Sequence, residues 1–208
     1  MIEVATAQGP ARVHLTPAKG EPAGSLLLTH GAGGGIRARD LAAIARSLPE
    51  RGWQVALVEM PWRVAGRKIA PMPPKLDAAW REIVPAVRQQ LGPRVVFGGR
   101  SAGARIACRL AGELGADGVL CLSFPLVPPG KGPEKSRIGE LLLPVQAGLP
   151  VHVVQGARDP FGGPDAVRAA LAAAGVDGVR VDQAPGDHSF TDGPLVAELV
   201  AQGLQGRA

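Results

Sequence analysis

The chain has 208 residues, 46% hydrophobic and 20% charged, which suits one globular domain over residues 1–208 with a sizeable core, not a disordered chain. The net charge of +5 raises the question of nucleic acid. The basic residues are mostly arginines scattered without a run, however, and aromatics make up 3% with no tyrosine, so no nucleic-acid partner is expected. The start, Met1-Ile2-Glu3-Val4, lacks the basic and apolar regions of a leader, and no apolar run nears the roughly 20 residues of a membrane span, so a cytoplasmic chain with no membrane partner is expected.

Residues 2–6 and 12–16 alternate in polarity around Gln8-Gly9-Pro10, which predicts an antiparallel hairpin. Residues 25–29 form a short apolar run, as in a strand covered on both faces, and lead into His30-Gly31-Ala32-Gly33-Gly34-Gly35. A helix is predicted over 39–48 and a strand over 53–59. The proline-rich, basic segment 60–74 reads as an ordered loop. Leu76, Trp80, Ile83, Val84 and Val87 carry helical spacing over 77–91, with a kink expected at Pro85. Strands follow over 94–97, 118–124, 151–155 and 179–183. Helices follow over 164–174 and 193–204, and the loop-rich stretch 125–150 has room for a short helix near 138–143. Strands alternating with helices predict an α/β fold: a doubly wound, mostly parallel sheet with helices on both faces. Cys108 and Cys121 fall in apolar segments and read as buried free thiols. No Cys/His cluster has metal-ligand spacing, so neither a metal nor a cofactor is expected.

The stretch Val95-Val96-Phe97-Gly98-Gly99-Arg100-Ser101-Ala102-Gly103 stands apart. Gly99-x-Ser101-x-Gly103, between an apolar strand and a helix, fits a sharp turn that lifts a serine hydroxyl above a sheet edge. The glycines are needed because the chain passes close to its neighbours there. A helix opening at this serine turns free N–H groups and positive dipole toward an oxyanion.

A serine hydroxyl needs a base. Of four histidines, His14 lies in the hairpin and His152 in an apolar strand. His188 follows the last strand in a turn-rich loop and is preferred over His30, which opens the glycine loop. The imidazole needs a carboxylate partner. Asp159, just past the strand at 151–155, has the right place; Asp187 adjoins His188, and neighbouring side chains rarely face each other. The candidate catalytic set is Ser101, Asp159 and His188. The candidate oxyanion donors are the backbone N–H groups of Ala102 and Ala32, with Gly33 as the alternative to Ala32, and His30 bracing the loop. A phosphate-binding reading of the glycine run is disfavoured, since no Gly-Lys-Ser/Thr ending follows.

With these motifs in this order, together with Ser123-Phe124-Pro125-Leu126 and Gln155-Gly156-Ala157-Arg158-Asp159, the chain resembles the α/β-hydrolases over nearly its whole length. The nearest likeness is to small dienelactone-hydrolase-like proteins, a group that takes in bacterial α/β hydrolases and animal testis-expressed and NSL-complex-subunit relatives. The resemblance implies a Ser/Asp/His hydrolase at Ser101, Asp159 and His188. A serine replaces the cysteine of true dienelactone hydrolases, which argues against dienelactone as substrate. Some relatives are complex subunits, so a non-catalytic binding protein is the alternative.

The usual position for a lid, here 126–149, is too short for a large cap domain. Trp62, Arg63 and Pro125 are expected to line the site on a small-molecule substrate. Arg100, with Arg63, Arg67 and Lys68, either gives the site a positive rim or pairs locally and holds the elbow.

Overall fold

In the computed structural model, which describes residues 1–205, apolar runs between turn residues become the strands. These are Ile2–Val4 (β1), Ala11–Thr16 (β2), Gly24–Thr29 (β3), Trp53–Glu59 (β4), Val95–Arg100 (β5), Gly118–Leu122 (β6), Val151–Gly156 (β7) and Arg180–Ala184 (β8). They form one eight-stranded sheet in the order β1-β2-β4-β3-β5-β6-β7-β8. Pairing is parallel from β4 through β3 to β8, and antiparallel at β1–β2 and β2–β4. Every residue of β3, β6 and β7 is buried, as strands covered on both faces require.

The helices are Arg39–Ser47 (α1), Pro61–Val64 (α2), Pro73–Val87 (α3), Ala102–Leu110 (α4), Ile138–Gln146 (α5), Pro164–Ala173 (α6) and Gly193–Gln205 (α7). They divide between the faces. Leu41 and Ile44 of α1 and Val196 and Val200 of α7 close one core over the sheet. Trp80 and Ile83 of α3, Ile106 of α4, Leu141 of α5 and Val167 of α6 close the other. Half-buried cross-helix ion pairs tie the second face together. Arg109 of α4 bonds Asp77 of α3 at 2.6 Å, and Arg105 of α4 bonds Glu140 of α5 at 2.6 Å.

The doubly wound sheet expected from the sequence is present, with no cap domain: between β6 and β7 stand only a single turn of 3-10 helix and α5. Three local expectations change. The segment 60–74 is not wholly loop, because Pro61 and Pro73 each open a helix. Proline suits the first turn, where its missing N–H has no intrahelical partner. The third helix therefore starts at Pro73 and ends at Val87, and Arg88–Gln90 tighten into 3-10 geometry three residues beyond Pro85. Likewise α5 runs on through Pro144 to Gln146. No helix among the described residues is long and apolar enough to cross a membrane.

Candidate active site

Ser101 links β5 to α4 with φ 53° and ψ −106°. A non-glycine residue there stores strain of order 1–3 kcal/mol, which persists only where the surroundings enforce it. Two features do so. The Ser101 N–H donates to the Leu122 carbonyl at 2.9 Å, extending the β5–β6 ladder past its end. The flanking glycines let the turn press onto β3. Gly99 has φ 155°, and a methyl there would lie 2.2 Å from the Thr29 carbonyl oxygen; a methyl at Gly103 would lie 2.5 Å from the same atom.

The Ser101 hydroxyl lies 2.8 Å from His188 Nε2. His188 sits in the loop after β8, and its Nδ1 is 2.9 and 3.0 Å from the two carboxylate oxygens of Asp159. An acceptor on that side puts the proton on Nδ1 and leaves Nε2 as the acceptor facing Ser101. The Asp159 carboxylate is fully buried, while the imidazole is 21% exposed. Phe161 packs on the imidazole with ring centroids 4.3 Å apart. Asp187 is exposed and accepts the Ser189 N–H at 2.7 Å, so it closes its own loop.

Asp159 is held by more than histidine. Its Oδ1 accepts the Phe161 N–H at 2.9 Å, and its Oδ2 accepts Gln155 Nε2 at 3.0 Å. Gln155 is fully buried in β7. It also accepts the Phe124 N–H at 2.9 Å and donates to the carbonyls of Phe124 at 3.0 Å and Gly162 at 2.7 Å. Sequence reasoning gave Gln155 no role. Its signal was one amide in the otherwise apolar end of Val151-His152-Val153-Val154-Gln155.

The glycine loop lies against Ser101: a methyl at Gly31 would be 3.5 Å from Ser101 Cβ. Ala32, next along, is exposed, and Ala102, as the first residue of α4, has an N–H with no intrahelical acceptor. His30 is buried beneath the loop. Its Nδ1 donates to the Gly31 carbonyl at 2.9 Å, and its Nε2 accepts the Met60 N–H at 3.1 Å. Both nitrogens are engaged, and burial pushes its pKa below the ordinary 6.5. His152, the strand histidine, bonds Asp182 at 2.9 Å.

Arg100 directs its guanidinium to the His188 carbonyl, to Ser189 Oγ at 2.7 Å, and to Asp40 at 3.5 Å. Asp40, buried in α1, has its pKa raised, first by burial and with Arg100 opposing. Pairing with Asp40 across the glycine loop was not visible in sequence, because 60 positions separate the partners. Trp62 is buried against His30, ring centroids 5.0 Å apart. Arg63 lies beside Gly35 and donates to the Arg67 carbonyl at 3.4 Å. Pro125 is buried, and its carbonyl accepts from Arg137 at 3.0 Å. Arg67 and Lys68 are exposed. The two thiols, Cys108 and Cys121, are buried, unbridged and 3.4 Å apart. Among the described residues no group of three or more His, Cys, Asp or Glu side chains is placed to hold a metal ion.

Comparison with solved structures finds the same fold in several bacterial proteins. An alpha-beta serine hydrolase homologue from Coxiella burnetii superposes with a TM-score of 0.78 at 18% identity, over 100% of this chain and 96% of that one. A serine hydrolase without lid from Xanthomonas campestris gives 0.72 at 18%, over 99% and 93%. Est1E from Butyrivibrio proteoclasticus, solved with ferulic acid, gives 0.78 at 15%, over 100% and 99%. No curated protein matches the chain. Identities this low speak for fold alone, but a family model described as an alpha/beta hydrolase domain matches residues 22–196, and by that match the chain belongs to the alpha/beta hydrolase family.

Proposed function

We propose that the protein is a serine hydrolase that cleaves a small ester, thioester or amide through an acyl-enzyme on Ser101. Family membership supports hydrolase activity at the coarse level. The observation that carries the finer reading is the unbroken relay from Ser101 Oγ through His188 to buried Asp159, with both contacts at 2.8–3.0 Å.

In this reading Ser101 Oγ attacks the substrate carbonyl carbon and its proton passes to His188 Nε2. Asp159 keeps the other ring proton on Nδ1 and stabilises the imidazolium. The new oxyanion takes hydrogen bonds from the N–H groups of Ala102 and Ala32, at the positive end of α4. Collapse breaks the bond to the leaving group, which receives the proton from Nε2. A water then gives up a proton to His188 and attacks the acyl carbon; the acid product leaves and Ser101 regains its proton. No cofactor takes part. The absence of a cap supports an open site and a small substrate. Arg100, tied to Asp40 and to the loop of His188, acts as a brace for that loop.

The test is labelling with a fluorophosphonate, followed by turnover of p-nitrophenyl esters of increasing acyl length. Aryl esters belong in the panel because Est1E is a ferulate-bound relative in fold. Ser101→Ala should abolish labelling and turnover while shifting stability by less than about 1 kcal/mol, since it removes one hydroxyl and leaves the packing intact. Native-rate labelling of the alanine variant would remove Ser101 from the mechanism.

A further inference from the structure

Beside the site, a separate cavity of about 220 Å³ opens between the β1–β2 turn, α2 and the first turns of α3. Met60, Trp62, Leu76 and Ala79 give it an apolar interior, and Arg67 and Lys75 stand at its edge. It lies at the carboxyl end of β4, on the side of the sheet where open α/β folds bind ligands. Three observations say what it suits. Trp62 is 4% exposed, and its indole N–H has no acceptor among the described residues. A buried donor left unpaired is costly, and a ligand oxygen would relieve it. Arg67 and Lys75 are exposed and neither forms an ion pair among the described residues. The carboxylate of α3 that reaches toward the β1–β2 turn, Glu82, accepts the Ala7 N–H at 3.1 and 3.2 Å and leaves the two cations uncompensated.

The wall is also preformed. The Arg67 N–H donates to the Trp62 carbonyl at 2.8 Å, and the Ala65 N–H to the Pro61 carbonyl at 2.9 Å, so the turn after α2 is closed before any ligand arrives. As to size, a dry cavity of about 150 Å³ accepts benzene. The space here holds one ring or a short alkyl body with a carboxylate arm.

We propose that this cavity binds a small organic carboxylate. Its apolar body lies on Trp62 and Leu76, its charge faces Arg67 and Lys75, and one oxygen accepts the Trp62 N–H. The site is distinct from the proposed hydrolytic centre. None of the cavity's lining residues belongs to the set Ser101, Asp159 and His188 or to the loop Gly31–Gly35, and the indole packs on His30, the residue that precedes that loop. The inference goes beyond the hydrolase reading and does not depend on it.

The experiment is calorimetric titration of the full chain with phenylacetate and with phenylacetamide, its neutral isostere. Saturable binding of phenylacetate is expected, with phenylacetamide weaker by about tenfold or more. Arg67→Gln with Lys75→Gln changes exposed side chains only; that double variant should melt as the parent does and bind phenylacetate about tenfold more weakly. Trp62→Phe keeps a ring and removes the donor, and should also weaken binding. Protein whose Ser101 has been modified by a small fluorophosphonate should bind phenylacetate unchanged, as should Ser101→Ala. No saturable binding in the millimolar range would overturn the proposal, as would equal affinity for the amide. Loss of binding on modification of Ser101 would overturn it too, by making the cavity part of the hydrolytic site. Failure of Ser101 to react would count against the hydrolase reading alone, since the titrations remain readable.

Discussion

Replacing Gln155 by leucine tests whether the buried amide holds the acid in place. The side chains are similar in size, so the change removes hydrogen bonds with little loss of packing. It strips the Phe124 N–H of an acceptor and the carbonyls of Phe124 and Gly162 of a donor, at sites now joined by bonds of 2.9, 3.0 and 2.7 Å. Each buried group left unpaired costs about 1–3 kcal/mol, and partial relaxation brings the sum to roughly 3–6 kcal/mol. For a chain of this length, at about 2–4 °C per kcal/mol, that lowers the melting midpoint by about 6–24 °C. Asp159 loses one partner but keeps the Phe161 N–H and His188. Turnover of an activated ester should therefore fall by about tenfold, well short of the loss from removing the carboxylate. Gln155→Glu is the companion variant. It keeps an acceptor for Phe124 N–H but sets a carboxylate oxygen against two carbonyls and Asp159, so it should destabilise at least as much at neutral pH and recover in part when protonated. Calorimetric melting with kcat on one ester reads both effects. If the leucine variant melts within about 2 °C of the parent, the amide is not holding these groups.

Asp159→Asn should lower kcat by a factor on the order of 10²–10⁴ in a folded enzyme, while Asp187→Asn should do much less; kcat/KM on one activated ester compares them, and the reverse order would show the acid misassigned. Gly103→Val should reduce folded yield, because even a methyl would meet the Thr29 carbonyl at 2.5 Å; native melting and activity would remove the elbow from the argument. His30 titrates lower in the folded chain than its ordinary 6.5, chiefly through burial, so the unfolded chain takes the proton first. Stability should be fully present above that value and fall below it, by at most about 1.4 kcal/mol per pH unit for this group; melting followed from neutral to mildly acid pH should show a smaller slope in His30→Gln, and an unchanged slope would refute the assignment.

The parallel strands and the elbow were legible because their signals are local and strong. A continuous apolar run such as Ser25-Leu26-Leu27-Leu28-Thr29 needs cover on both faces, and small residues around Ser101 have little other use. Ser101, Asp159 and His188 could be picked out from which residues follow strands, and the structure brings those three side chains together. What escaped was of two kinds. Helix α2 is a single turn of four residues, too short to show a period, and the proline that starts α3 sits in a proline-rich stretch that hides its value as a first-turn start signal. The supports of the site were hidden for another reason. Gln155 looks like any strand residue until its neighbours in space are known. Asp40 looks like an ordinary acid in the first turn of α1 until Arg100 is found beside it.

Those supports form one circuit. Ser101 and Ser123 both have positive φ, 53° and 48°, and they leave neighbouring parallel strands at matched heights, since Arg100 is in register with Leu122. Each is pinned by a bond to the next strand: Ser101 N–H to the Leu122 carbonyl and Ser123 N–H to the Val154 carbonyl, both 2.9 Å. The chain after Ser123 is then caught by Gln155 at Phe124, Gln155 bonds Asp159, Asp159 bonds His188, and His188 returns to Ser101. Strain at each serine costs of order 1–3 kcal/mol and would relax if the following residues were free to move. The ring of bonds removes that freedom, so the geometry of Ser101, the proposed nucleophile, and that of His188, its proposed base, are enforced by the same contacts. A change at Gln155, which touches neither Ser101 nor His188, therefore perturbs both the elbow's support and the acid's position. Asp187, outside the circuit, can be altered with little effect on either.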